Sequence, residues 1–403
     1  MKKKALSLLM TVALAATLFT GCGTKDSNNG EVKPTNAPQK SESDVTGNGS
    51  AGNEAKNGLY DPIAKEDIKI GVIHITDPAE GSGYTYTHDI GIQGMQKNIG
   101  LNDNQIIRKN NVDDQDAVAI RNAIEECIEE GANVIFATSW GYMDTVEAMA
   151  SEHPDVIFSH GTGYKSNGSN FNNYFGRIYQ ARYLTGIAAG LKTTTNKIGY
   201  VAAWGKDNSE VTGGLNAFAM GVYSVNPEAK VYVKTTNSWF SPEGEAAAAE
   251  ALISLGCDVI GQHCDTPNPM TAAEAAGVFG VGYNSDMSKD APKAVLTSAL
   301  WDWSAYYTTA VKSVMEGTWD GSNYFGGMAE GLINIAPLSD LVAPGTAEKI
   351  AEAEAKIKSG EWDVFTGVIE TNDGKTIGEE GKSLDDATIT GGINWYFKNV
   401  IED

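Results

Sequence analysis

Beyond residue 66 the chain alternates short apolar runs with longer stretches in which apolar residues return every three or four positions. The short runs cover 68–75, 105–112, 132–139, 155–160, 197–204, 230–236, 258–263 and 278–283 and read as strands. The longer stretches at 116–130, 144–152, 180–193, 212–225 and 244–255 have the period of amphipathic helices. Short apolar strands alternating with such helices predict an α/β architecture in which parallel sheets are covered on both faces. Each strand–helix pair is then a right-handed crossover unit.

The alternation restarts near residue 197, where Lys197-Ile-Gly-Tyr-Val-Ala-Ala-Trp echoes Lys69-Ile-Gly-Val-Ile-His-Ile-Thr. Two similar lobes are therefore expected. After Tyr283 the rhythm changes to a strand at 294–300, a helix at 303–315, an extended stretch at 327–337 and a helix at 346–359, as in a chain that passes between lobes more than once. The expected division is 67–195 with 294–325 in lobe 1, and 196–293 with 326–403 in lobe 2. Asn372-Asp373-Gly374 marks a hairpin within 363–390, expected to lie on the second lobe.

What precedes the body is different in kind. Lys2, Lys3 and Lys4, the apolar run 5–19 and Phe19-Thr20-Gly21-Cys22 resemble a bacterial lipoprotein signal, so residues 1–21 are expected to be removed and Cys22 to carry lipid. The run is too short for an ordinary membrane-spanning helix. Residues 22–66 are rich in Asn, Gly, Ser, Lys, Glu and Pro, a composition that cannot bury enough surface to fold and reads as a tether. Its random-coil reach is about 35–40 Å. The expected location is a lipid-anchored body at the cell membrane, outside the cytoplasm. A formal charge of −22 repels phosphate backbones and argues against nucleic acid as a partner.

Of four cysteines, Cys127, Cys257 and Cys264 remain after Cys22 and read as buried free thiols. His263, Cys264 and Asp265 are metal-capable types, but no second ligand cluster stands at zinc spacing, so neither metal nor cofactor is expected. His74, His88, His153, His160 and His263 lie far apart and in no nucleophile motif, which argues against an enzyme. The run from Gly161 to Lys165-Ser166 has Tyr164 where a phosphate loop needs Gly.

Ligands of open parallel sheets bind at the carboxyl ends of strands. Those ends are unusually aromatic here, with Tyr84 and Tyr86, Trp140 and Tyr142, Trp204, Trp239 and Phe240, and Trp301 and Trp303. Asp77, Asp144, Asp265, Asn284 and Asp286 accompany them. Facing rings with a few acceptors suit a flat, uncharged ligand, because stacking tolerates any ring while edge hydrogen bonds choose among them. Singly, each residue also has a structural role open to it: an aromatic packs under a loop, Asp144 caps a helix, Asp286 serves a turn.

The same residues carry a family likeness. Thr138-Ser-Trp-Gly-Tyr-Met-Asp144, the run from Tyr174 through Arg177 and Arg182 to Gly186, Lys197-Ile-Gly-Tyr-Val-Ala-Ala203 and Gly282-Tyr-Asn-Ser-Asp-Met287 resemble the basic membrane protein family of solute-binding lipoproteins. The resemblance implies a type I periplasmic-binding-protein fold, with two Rossmann-like lobes joined by a three-strand hinge that close over a ligand destined for ABC importer permease subunits. It implies a monomer that binds a purine between Tyr84 and Trp239, with Asp144, Asn284 and Asp286 at the ring edge. Two positions depart from the family pattern. Thr85 replaces an Asn, and Trp301 stands where nucleoside receptors present a lysine to the ribose. An indole there fills ribose space, which implies a free nucleobase such as adenine in place of a nucleoside, its extra ring N–H accepted by Asp286 or Asp265. The alternatives are a sugar-binding protein of the same fold, a regulatory or sensory surface lipoprotein and, least favoured, an exported hydrolase.

Overall fold

The computed structural model describes residues 58–402. The signal, Cys22 and most of the tether lie outside the described residues. The chain order is β1 (Ile70–Ile73), α1 (Gly83–Ile99), β2 (Ile106–Lys109), α2 (Ala117–Glu129), β3 (Val134–Ala137), α3 (Met143–Glu152), β4 (Ile157–Gly161) and β5 (Phe171–Gly176). It continues through α4 (Tyr179–Lys192), β6 (Lys197–Ala202), α5 (Ser209–Val225), β7 (Lys230–Thr235), α6 (Pro242–Ser254), β8 (Val259–His263), α7 (Asn268–Ala276), β9 (Phe279–Asn284) and β10 (Val295–Trp301). The last elements are α8 (Trp303–Met315), β11 (Tyr324–Gly326), β12 (Ile333–Ile335), α9 (Thr346–Lys358), β13 (Ile369–Glu370), β14 (Thr376–Ile377), α10 (Asp386–Gly391) and β15 (Val400–Glu402).

Two sheets result, ordered β11-β5-β4-β3-β1-β2 and β12-β10-β9-β8-β6-β7-β15. The orders 2-1-3-4-5 and 7-6-8-9-10 are the same topology written twice, so the echo between residues 69 and 197 is a structural repeat centred on β1 and β6. Nearly all pairings are parallel; β12 alone runs antiparallel to its neighbour within the large sheets. Strands β1 and β8 are buried along their whole length, as central strands covered on both faces must be.

The chain crosses between lobes at β5 to α4, at β10 to α8 and at β11 to β12. The crossings are tied to one another: Arg177 N donates to Gly326 O at 2.7 Å and Asp302 N to Leu332 O at 2.7 Å. The expected boundaries need two corrections. Residues 295–301 pair with β9 and belong to the second sheet, because β10 extends that parallel ladder before the chain crosses. Helix α4 packs on α5 and β10 and so covers the second sheet, which moves the first crossing from residue 195 back to about 177. The α4–α5 contact is close because Gly221 lies against the backbone of Tyr183, where a Cβ would collide with the carbonyl.

Helices α1, α7 and α10 and strands β5, β11 and β15 escape the hydrophobic pattern, and three of them show why. Helix α1 begins Gly-Tyr-Thr-Tyr-Thr, poor helix formers that read as a loop after β1. Packing overrides propensity: Gly91 lets α1 sit directly on α8, where a Cβ would come within 2.5 Å of Trp303 Cβ. Strand β5 is interrupted by Asn172 and Asn173, both buried and bonded to Tyr306 OH and to backbone carbonyls. Strand β15 is short and gains its place by pairing with β7. The hairpin within 363–390 is present as β13–β14, and a bridge from Thr371 to Phe397 ties it to the segment leading into β15 of the second sheet.

Candidate functional site

In each sheet the strand order reverses about the central strand, and the crevice beyond the carboxyl ends at that reversal is where such sheets bind ligands. Residues from both crevices meet here. Tyr84, in the first turn of α1, donates its hydroxyl to the carbonyl of Thr138 at the end of β3. Its ring meets His88 edge-on at 4.5 Å. His88 stacks on Trp303 at 4.4 Å and 14°, and Trp303 on Trp301 at 4.4 Å and 10°. Trp301 Nε1 donates to Tyr283 OH at 3.4 Å, Tyr283 meets His263 edge-on at 4.8 Å, and His263 lies 6.0 Å from the ring of Trp239. The carbonyl of Trp239 accepts the amide of Asp265 at 2.9 Å. Asn284 Nδ2 donates to Asp265 Oδ1 at 3.0 Å, and the Asn284 carbonyl accepts from Thr87 of α1 at 2.9 Å, which closes the circuit.

The last of these contacts joins the two lobes, together with Gly83 N to Ser285 Oγ at 3.4 Å and Ser82 Oγ to Asp290 Oδ2 at 3.5 Å. The lobes are therefore closed on one another at this edge. Asn284 adopts φ +66°, a left-handed conformation that a non-glycine residue holds only where its surroundings over-determine it. Here its carbonyl is fixed by α1 and its side chain by Asp265.

The electrostatics mark a desolvated recess. Burial pushes the Asp265 carboxyl up to about 7, partly opposed by the hydrogen bond from Asn284. Burial and the neighbouring Asp265 charge push Glu210, in the first turn of α5, up to about 8, with Arg182 opposing. Yet Glu210 keeps 24% of its side-chain accessible surface. Tyr84, Trp239 and Asp265 are likewise only partly buried. Groups that are desolvated by the surrounding protein and still partly accessible lie in a recess at the strand ends.

In the same region fully buried polar atoms lack a hydrogen-bond partner in the protein: Trp204 Nε1, Trp303 Nε1, His88 Nε2, Asn284 Oδ1, both ring nitrogens of His263, and Nε and Nη2 of Arg182. An unmet buried donor or acceptor costs about 1–3 kcal/mol, so such a concentration singles this region out from the rest of the core. His263 Nε2 is 3.5 Å from Glu210 Oε1 without hydrogen-bond geometry. Burial, then Arg182, holds the imidazole well below its usual range, so the pair is not an ion pair at neutral pH. Arg182 is anchored from α4 by donating to the Gln262 carbonyl and by lying 3.8 Å over the ring of Tyr283. Glu245, fully buried, accepts from Ser241 N at 2.9 Å and Thr266 Oγ1 at 2.5 Å. It thereby ties down both ends of the segments that carry Trp239 and Asp265.

Of the residues expected from the sequence, Tyr84, Trp239, Asp265, Asn284 and Trp301 come together, with Trp204 at the neighbouring strand end and Thr85 buried beside Tyr84 with its hydroxyl unpartnered. Four do not join them. The Asp144 side chain is 83% exposed and pairs with Lys165 at 2.8 Å, because it lies on the outer face of α3. Trp140 is 59% exposed. Asp77 is exposed and caps a short turn by accepting from Ala79 N at 2.9 Å. Asp286 likewise caps the turn after β9, accepting from Ser288 N at 3.0 Å. Glu210, Arg182, His263, His88, Tyr283 and Trp303 were not singled out as ligand contacts. Glu210 was within reach of the strand-end rule, six residues past Trp204, but Arg182 lies mid-helix and carries no such signal. Among the described residues no group of three or more His, Cys, Asp or Glu is placed to hold a metal ion, and Cys127, Cys257 and Cys264 are buried free thiols. No described helix is long and apolar enough to cross a membrane.

Two parallel-sheet lobes, three crossings between them and a desolvated recess at the strand ends define a solute-binding protein of the type I class. The chain belongs to the Bmp family, described as ABC transporter substrate-binding protein PnrA-like, whose model matches residues 68–365. It is 38% identical over 338 residues to a purine-binding protein of Brucella abortus, covering 84% of this chain and 94% of that one. It is 35% identical over 306 residues to a Haloferax volcanii protein described as a candidate ABC transporter glucose-binding protein, covering 76% of each. Solved structures of similar fold include an ABC transporter solute-binding protein from Aeropyrum pernix, at TM-score 0.62 and 18% identity over 73% of this chain and 92% of that one. Another is a transcriptional activator from Bacillus halodurans, at TM-score 0.63 and 19% identity over 73% of this chain and 99% of that one. At such identities these two likenesses speak to fold alone.

Proposed function

We propose that this protein captures a purine, as the free nucleobase in preference to the nucleoside, for an ABC importer, and that it does no chemistry on its ligand. What supports this reading is the gathering of Tyr84, Trp239, Trp301, Asp265 and Asn284 at the strand ends of the two sheets. Flat rings suit a planar heterocycle, and acceptors suit its N–H groups. The purine-binding relative from Brucella abortus supports the ligand class. The preference for a base rests on Trp301, 6% exposed and stacked on Trp303, which occupies the hinge end of the recess with indole where a ribose would need room and polar partners. Closure over the ligand brings both rings to bear on it, so the ligand stabilises the closed form.

The body is proposed to sit outside the cytoplasm as a monomer, tethered through lipid on Cys22; Cys22→Ser would then abolish fatty-acid labelling. A sugar is the second reading, favoured by the name of the Haloferax volcanii relative. A thermal-shift screen of the purified protein with adenine, adenosine, guanine, glucose and ribose separates the readings, since a saturating ligand raises the midpoint by mass action. A shift with a base and not its nucleoside is expected. A shift with sugars alone would replace the purine reading.

A further inference from the structure

Glu245 sits in the first turn of α6 and is fully buried. Its two oxygens serve different parts of the chain. Oε1 accepts Ser241 N at 2.9 Å, at the end of the segment between β7 and α6. Oε2 accepts Thr266 N at 3.2 Å and Thr266 Oγ1 at 2.5 Å, in the segment between β8 and α7. The first bond is local to the start of α6, whereas the bonds to Thr266 span 21 residues. Trp239 stands two residues before Ser241 and Asp265 immediately before Thr266, and Asp265 N donates to the Trp239 carbonyl at 2.9 Å. We infer that Glu245 is a positioning residue for ligand capture: its buried carboxyl group clasps the two strand-end segments so that Trp239 and Asp265 meet the ligand at one fixed separation. The inference rests on the reading that these two residues hold a purine.

The chemistry of the clasp explains why a glutamate fills it. Each segment offers a backbone N–H, and a group that is to join two donors needs an acceptor on both sides. A carboxylate has two such oxygens; the amide of Gln has one oxygen and a nitrogen that only donates, so one of the two buried N–H groups would lose its partner. The Asp265 turn has further supports, since Thr266 Oγ1 also accepts Asn268 N at 3.3 Å and the Thr266 carbonyl accepts Gln262 Nε2 at 2.8 Å. The Trp239 segment has fewer. Ser238 N donates to the Ala203 carbonyl at 3.1 Å, and Phe240 beside Trp239 is 51% exposed, so hydrogen bonds and not packing hold this stretch. With the clasp in place the ordering of both segments is completed on folding, before a ligand arrives, which is how a supporting shell raises affinity without touching the ligand.

The test is calorimetric titration of the purified protein with adenine, with unfolding in urea followed in parallel. Glu245→Gln should weaken adenine binding about tenfold, and so should Thr266→Val, which removes the hydroxyl at nearly the same shape. Thr266→Ser keeps the hydroxyl and should retain most of the affinity. A role in stability alone would lower the urea midpoint and leave the affinity of the folded protein unchanged. Combined with Trp239→Ala, Glu245→Gln should weaken binding less than it does alone, because one of the two groups it aims is then gone. The two Thr266 variants carry the comparison if Glu245→Gln does not fold. Wild-type affinity in folded Glu245→Gln or Thr266→Val protein, or a loss that adds in full to that of Trp239→Ala, would overturn the inference and leave the purine reading standing. Adenine refused by the wild type would overturn both.

Discussion

Replacing Trp301 by Ala tests whether the hinge end of the recess selects base over nucleoside. The indole is 6% exposed, stacked at 4.4 Å on Trp303, tilted against Phe175 at 5.1 Å and bonded through Nε1 to Tyr283 OH at 3.4 Å. An aromatic of this size removes about 200 Å² from water, worth roughly 5 kcal/mol at about 25 cal/mol/Å². Measured Trp→Ala losses of about 3–5 kcal/mol agree. That approaches the whole stability of an ordinary domain, so unfolding in urea has to be followed alongside binding, and Trp301→Leu provides a milder truncation. Calorimetric titration with adenine and adenosine is the assay. The wild type is expected to bind the base and refuse the nucleoside, and the truncated, folded variant to narrow that ratio by tenfold or more. Equal affinity for adenosine in the wild type, or an unchanged ratio in a folded variant, would refute the reasoning.

Trp239→Ala should weaken binding of the base about tenfold or more, since one stacked ring contributes roughly 1–3 kcal/mol; unchanged affinity by calorimetry would exclude a sandwich with Tyr84. Burial raises both Glu210 and Asp265, to about 8 and about 7, so the folded protein holds more protons than the unfolded chain from about pH 4.5 upward. Ligand-free stability should therefore fall as pH rises towards about 8, by up to about 1.4 kcal/mol per pH unit for each group, and Glu210→Gln should flatten the fall in urea titrations. Asp89 has the opposite sign. Burial alone would raise its carboxyl, but His74 at 3.6 Å and hydrogen bonds from Arg108 and Gln93 hold it well below the usual range. Its contribution is present above about pH 4 and is lost as pH falls further, so Asp89→Asn should reduce the steepness of acid unfolding.

The alternation of apolar strands and amphipathic helices was enough to define two parallel-sheet lobes, because a strand covered on both faces has to be apolar throughout and a covering helix has to be apolar on one side. The pair of central strands at residues 70–73 and 197–202 was visible as a repeated string for the same reason. Helix α1 was not visible, since its Gly- and Thr-rich start is unfavourable in isolation and is held by contact with α8. Tyr84, Trp239 and the carboxyl Asp265 were legible because each follows a strand end, a position the topology aims at the crevice. Asp144 and Asp286 satisfied the same rule and turned to local capping or to a surface lysine, a choice made by side-chain direction within one helical turn. Glu210, Arg182 and His263 come from α5, α4 and β8, and nothing in their local sequence links them. Only the closing of helices over the second sheet removes them from water together, and it is that shared desolvation which turns ordinary side chains into a site.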